Sequence, residues 1–276
     1  PDGLEGNSVT TLTHRRHSKN VLNRLVDDAP LEVASLTDDH RRSLSARFRA
    51  VAGERHRRLD AWMVERAGTP SGLFRWSPAT ARRTLGNAAL RRSIADPTLS
   101  RIEALEVEMD DQLARAVSGY ARGGSLASYL AQASPSVLAL ISAEAANWAT
   151  QLGEAADSLA HPWSVALSDT YYDVARARTT LRGRRDLVIS HGPSRVLLRV
   201  RSGAPGKSAG PGLRADLTID ALADPLGVAA TRLIGLWPEA GVVLSVDGTM
   251  EDLRLGARDL VRTAVAQQRH LLVKAA

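Results

Sequence analysis

Cysteine is absent from the 276 residues. That excludes disulfides, a thiolate nucleophile, zinc–cysteine sites and cysteine-ligated iron–sulfur clusters. Lysine is nearly absent as well: of 36 basic residues only Lys19, Lys207 and Lys274 are lysine, so 33 are arginine. No run of about 18 apolar residues occurs, the length at which a membrane-spanning helix is read from sequence. The N-terminal stretch carries no apolar signal-peptide core. The expectation is a soluble cytoplasmic protein without membrane contact; the chain opens on Pro1, and a segment upstream of it stays open. No Gly-x-Ser-x-Gly elbow, dinucleotide fingerprint or fixed-period repeat is present.

The chain does hold 44% apolar and 24% charged residues. This is enough for one large core or two modest ones, and rules out wholesale disorder and collagen-like repeats. The formal net charge is +6, a mild excess for this length. The arginine skew, with abundant Ala, Leu, Gly and Val, is what a GC-rich genome produces. The planar guanidinium fork also suits phosphate, which keeps nucleic acid in view as a partner.

Three regions are expected. Residues 1–36 form a polar arm with the basic cluster His14-Arg15-Arg16-His17 and Lys19, and one short docking helix from about Lys19 to Val26. His14 and His17 have i, i+3 spacing, but in an arm of this kind they do not predict a metal site. Residues 37–134 read as helical. Thr37-Asp38-Asp39 is an N-cap with acids in the first turn, ahead of a helix predicted to run to about Arg66 with Leu44, Phe48, Val51, Leu59, Trp62 and Met63 at helical spacing. Gly68–Gly72 breaks it, and Ser77-Pro78 starts another helix. Further helices fit 100–122, 125–132 and 135–156. Trp62, Phe74, Trp76 and Trp148 are expected as core anchors rather than as a base-stacking ladder.

After His161-Pro162 the texture turns extended. Trp163–Thr170 and Asp173–Leu181 are rich in Val, Ala, Thr and Tyr. Leu187–Ile189 and Val196–Val200 are two short strands joined by a hairpin turn at Ser190–Ser194. A helix about Leu213–Leu226, strands Thr231–Trp237 and Val242–Val246, and a last helix Met250–Leu272 complete the reading. Gly203–Ser208 has a phosphate-loop flavour, but it lacks the four-residue gap before Gly-Lys-Ser and Pro205 removes an amide donor. The fold class is therefore α/β (α+β): a helical N-terminal half, then a small mixed sheet flanked by helices in 135–276.

The stretch Leu181-Arg182-Gly183-Arg184-Arg185-Asp186-Leu187-Val188-Ile189, followed by Val196-Leu197-Leu198-Arg199-Val200-Arg201, resembles the core of RecB-like members of the PD-(D/E)xK nuclease superfamily. In that family a Gly-x-x-Asp opens one strand and an acid-x-Lys closes the next. The resemblance covers about residues 140–265 and implies a restriction-endonuclease-like core. It also implies a magnesium-dependent deoxyribonuclease site in which paired carboxylates hold a hard cation that polarises phosphate and activates water. Asp186 takes the Gly-x-x-Asp position, and Glu144 is the candidate acid from the preceding helix.

The departure lies on the second strand. Arg199 stands where the family has its second acid and Arg201 where it has lysine, and a guanidinium repels a cation instead of ligating it. Glu144 and Asp186 are then vestigial, and no catalytic residue, metal or other cofactor is expected. Asp216 or Asp220, one turn apart on the next helix, are the candidates for a migrated acid if the nuclease alternative holds. Asp186 among arginines is also expected to pair with one of them across the hairpin. The resulting expectation is a noncatalytic nuclease-fold protein. It contacts DNA through Arg182, Arg184, Arg185, Arg199 and Arg201, or holds a protein partner in a DNA-processing or regulatory complex. One exposed stripe of those arginines favours DNA; pairing with Asp173, Asp186 and Glu239 favours the scaffold. A helix-turn-helix regulator over Ile219–Leu233 is a third reading, weakened by Pro225.

Overall fold

The structure, a computed structural model, describes residues 10–13, 21–30, 33–52, 56–65, 76–119, 124–153, 164–201, 203–237 and 240–275. The upstream elements are β1 (Thr10–Thr13), α1 (Val21–Asp27), α2 (Asp38–Ala52), β2 (Arg57–Asp60), α3 (Ala61–Glu65), α4 (Pro78–Ala95), α5 (Arg101–Val117), α6 (Leu126–Gln132) and α7 (Pro135–Gly153). They are followed by β3 (Ser164–Arg176), β4 (Thr179–His191), β5 (Ser194–Val200), α8 (Ala209–Ala223), β6 (Arg232–Trp237), β7 (Val242–Asp247) and α9 (Met250–Ala275). The expected α/β class with a mixed sheet flanked by helices is what the chain adopts.

The sheet runs β1-β7-β6-β5-β4-β2, with β3 also on β4. β3, β4 and β5 form an antiparallel meander; α8 then crosses over so that β6 lies parallel to β5, and β7 returns antiparallel. The β4–β5 hairpin turns on Gly192-Pro193, where Gly192 has φ +56°, a conformation that costs glycine little.

Period-two alternation along the strands separates two cores. Val196, Leu198 and Val200 of β5, with Ile234 and Leu236 of β6, meet Leu25 and Val26 of α1 and Leu90 and Ile94 of α4. Leu197, Leu233, Leu244 and Val246 look the other way, onto Leu213 and Leu217 of α8. Helix α8 is held between the sheet and an outer layer of α3 and α9. All its residues except Pro211 and Ala223 are buried, so it needs small residues where backbones approach. Gly256 of α9 lies against α8: a Cβ there would sit 2.4 Å from the Arg214 carbonyl oxygen. A third cluster, Leu85, Leu105, Leu130 and Ile141, joins α4 to α5, α6 and α7.

Several local signals act as expected. Ser77 caps α4 with Pro78 in the first turn, and its hydroxyl accepts from the Thr80 amide. Ser125 caps α6 in the same way. Other elements differ. The helix expected from Thr37 to Arg66 stops at Ala52, and Arg57–Asp60 pairs in parallel with Thr179–Arg182. There Leu59 is fully buried while Arg58 faces out, so backbone pairing with β4 overrides a helix-compatible pattern. In the N-terminal arm, Thr10–Thr13 forms an edge strand on Val242–Ser245 of β7. The turn joining β3 and β4 falls at Ala177-Arg178, inside the stretch read as one extended run. The Ile219–Leu233 stretch is the end of α8, a turn and the start of β6, so it holds no recognition helix. His14–His17, Lys19, Gly68–Gly72, Phe74, Trp163 and Glu239 lie outside the described residues, as do the side chains of Trp62 and Trp148. Among the described residues no helix is long and apolar enough to cross a membrane.

Gly183 is opposite Tyr172 across the β3–β4 ladder, and a Cβ on it would meet the Tyr172 ring carbon Cζ at 2.2 Å. Gly183→Ala is expected to cost about 1–3 kcal/mol by overpacking, read as a lower urea midpoint. An unchanged midpoint would show that the Tyr172 ring is free to move aside.

Candidate functional site

The length of β4 creates the site. β3 pairs along one edge of β4 from Thr179 to Ser190. The other edge is shared: β2 takes Thr179–Arg182 and β5 takes Leu187–His191. Residues 183–186, the Gly-x-x-Asp stretch, are left in a notch between the two. β5 diverges there, since Arg199 and Val200 continue in pairing with Gly235 and Leu236 of β6. Glu65, at the end of α3, and Asp216 of α8 complete the surround.

The notch is filled by ion pairs. The buried Arg199 donates through Nε to Asp216 Oδ2 at 2.6 Å, and its Nη2 closes the same pair. Its Nη1 lies 3.9 Å from Asp186 Oδ1, and Arg184 Nε reaches that oxygen at 2.7 Å. Arg201 stands 3.7 Å from Glu65 and 3.8 Å from Asp216. One turn along α8, fully buried Asp220 accepts from Arg185 Nε and Arg195 Nη2, each at 2.8 Å, one guanidinium per oxygen. Arg185 also lies 5.1 Å from the centroid of the Tyr172 ring, a cation–π distance.

These pairings set the local acidity. Burial alone pushes the Asp186 carboxyl up, but Arg91, Arg199, Arg184 and Arg201 outweigh it and hold the group below the ordinary aspartate range. Burial lowers Arg199, and Asp216 and Asp186 more than restore its affinity for the proton. The Tyr172 phenol is pushed up by burial first, then by Asp220 and Asp216, so it is a neutral donor at any physiological pH.

The five arginines named as DNA-contact candidates are paired with carboxylates and do not line up as one exposed stripe. Arg184, Arg185, Arg199 and Arg201 turn to Asp186, Asp220, Asp216 and Glu65. Arg182 points away to the far end of β4, where with Arg58 it clasps Asp173. Asp173 and Asp186 are thus partners as the pairing alternative had them; Asp216, Asp220 and Glu65 are partners that it missed. Glu144 does not join Asp186. It accepts from Arg82 of α4 at 2.6 Å, and Arg82 lies nine residues, about 13 Å of helix, from Arg91, the α4 arginine that acts on Asp186. Arg91 and Glu65 carried no sequence signal because they are brought in from elements distant in the chain; Arg195 and Tyr172 lie on β5 and β3, beside the motif but outside its pattern.

The divalent cation that the nuclease resemblance implies does not fit these residues. A cation bridging Asp186 and Asp216 would lie against the Arg199 guanidinium, where each pair of unit charges about 4 Å apart repels by about 4 kcal/mol even at an effective dielectric constant of about 20. Among the described residues no three of His, Asp and Glu gather in a way that could hold a metal ion. No protein-family model matches the chain, and no curated protein matches it in sequence.

Two outcomes are expected from this electrostatics. Arg199→Met leaves the buried Asp216 with only the more distant Arg201, and should cost about 3–5 kcal/mol in urea unfolding. Adding Asp216→Leu should recover most of that loss; a double variant as unstable as the sum of its parts would refute the coupling. Because the folded-state pKa of Asp186 is depressed, its contribution is present above the unfolded value of about 3.9 and is lost as pH falls through the folded value. Wild type should therefore lose more thermal stability between about pH 5 and pH 2 than Asp186→Asn does.

Proposed function

We propose that this chain is a noncatalytic protein with a RecB-like nuclease fold, acting as a cytoplasmic scaffold within a DNA-processing or regulatory assembly. The observation that carries the reading is Arg199 lying between Asp186 and Asp216, with Arg184 and Arg201 beside it. A fixed guanidinium supplies the positive charge that a hydrolytic site takes from its metal, yet it has no open position for water or phosphate and cannot lower the pKa of a water as a metal does.

The element order adds support. Helix α7, the antiparallel β3-β4-β5 meander, the crossover helix α8 and a β6 parallel to β5 follow the order that the nuclease resemblance calls for. The Gly-x-x-Asp aspartate falls in the notch beside α8. The pairing of the notch arginines favours a protein-holding role for this region over direct phosphate contact. The rival reading, a nuclease with its second acid moved to α8, gains from the nearness of Asp216 to Arg199 but needs that guanidinium out of the way.

The test is incubation of labelled single- and double-stranded DNA with the protein in magnesium and in manganese, beside Asp186→Ala. The expected result is no cutting above the level of the variant, and no rise in thermal midpoint on adding either metal, since a cation bound to the native state alone would raise it. Metal-dependent cutting that Asp186→Ala abolishes would overturn the reading.

A further inference from the structure

The arginines of the notch are paired within the fold, and two on the outer helix α9 are not. Arg254, Arg258 and Arg262 recur every fourth residue on the exposed side of α9. Arg254 and Arg258 hold no ion pair or hydrogen bond among the described residues. Arg262 reaches Asp259 at 3.8 Å with its side chain 67% exposed. Helix α2 packs against α9 and exposes Arg42, Arg47 and Arg49, of which only Arg42 has a carboxylate, the equally exposed Asp39.

We propose that the α9 stripe is a sequence-independent binding surface for the phosphate backbone of duplex DNA. The stripe is about 12 Å long at 1.5 Å per residue. That is the axial reach of three to four phosphates on one strand at about 3.4 Å each. The flexible guanidinium heads, each able to take two phosphate oxygens, are free to do so. An anionic membrane fits less well. A surface-lying helix must offer its apolar side to lipid, and the apolar side of α9, Leu253, Leu260 and Ala264, is buried in the core. A protein partner would want a desolvated aromatic or aliphatic anchor among the charges, and among the side chains described the exposed positions of α9 beside the stripe are Glu251 and Ala266. The choice of DNA over RNA rests on the function proposed above; the charge argument does not.

The test is fluorescence anisotropy of a labelled random-sequence DNA duplex across a salt series, without divalent metal. Wild type is compared with Arg254→Gln/Arg258→Gln and with Arg101→Gln/Arg115→Gln on α5, which removes the same charge elsewhere. With about 0.9 counterions released per phosphate contact, the α9 double should lower the logarithmic salt slope by about 2 and weaken binding by on the order of 50-fold at 0.1 M salt. The α5 double should stay close to wild type, and Arg254→Lys/Arg258→Lys should keep most of the affinity. Equal weakening by both glutamine doubles, a lysine double as weak as the glutamine one, or no duplex binding at low salt would overturn the proposal. So would binding only to RNA duplex or to vesicles rich in phosphatidylserine. Cutting in a parallel magnesium arm would refute the noncatalytic reading and leave this one standing.

Discussion

The guanidinium of Arg199 is the pivot of the notch. It is buried with two buried carboxylates, Asp186 and Asp216, in a part of the fold where any one of the three alone would be prohibitively placed. Such a network is a weak source of net stability, because desolvating the ions consumes most of what their attraction returns. Its strength is in what it forbids. Asp216 comes from α8 and Arg199 from β5, so a shift of α8 by one turn would exchange Asp216 for Asp220 and draw Asp220 away from Arg185 and Arg195. Two aspartates one turn apart, each matched to its own arginines, fix the position of α8 on the sheet more sharply than its small apolar residues alone.

The notch itself is a consequence of strand lengths. β4 has thirteen residues, too many for β5 or β2 to cover singly, and the two cover its ends. What remains uncovered is polar because it has to be: an edge without a neighbour strand exposes amide and carbonyl groups that apolar side chains would not satisfy. The same arginine chemistry serves elsewhere as backbone capping. Arg41 donates to the carbonyls of Asp224 and Pro225, and Arg176 to that of Leu222, all at the C-terminal end of α8, where cations are favoured by the helix dipole. Arg57 and Arg232 donate to the carbonyls of Ala264 and Leu25.

Where periodicity and caps were local, they were legible. Ser77-Pro78, the Gly192 turn, the β4–β5 hairpin and the two strands after α8 follow from residues next to each other. What was not legible depends on distant partners. Arg57–Asp60 is a strand only because Thr179–Arg182 is available to pair with it, and Thr10–Thr13 only because β7 has an open edge. The site was half legible for the same reason. Arg199 and Arg201 already argued against a cation beside them, and Asp186 among arginines already suggested pairing. The sequence could not say that Asp216 and Glu65 would absorb the remaining charge, since i, i+4 aspartates on a helix look alike whether they face solvent or a buried guanidinium.

Burial then decides which arginines are free to act outward. A composition with 33 arginines looks basic everywhere, but each buried guanidinium must be neutralised or bonded within the fold, and in the notch each arginine stands within ion-pair distance of a carboxylate. The uncompensated charge is pushed to elements that touch the core on one side only. Helix α9 is the clearest case, packed against α8, α2 and α3 with Arg254, Arg258 and Arg262 left on its exposed side. A field from charge gathered on the outer layer decays within about a Debye length, roughly 8 Å at physiological salt. It is therefore felt by a partner that docks on that layer and not by one that reaches into the notch. The fold thus separates an interior that uses arginine as structural cement from an exterior where arginine is left to meet anions.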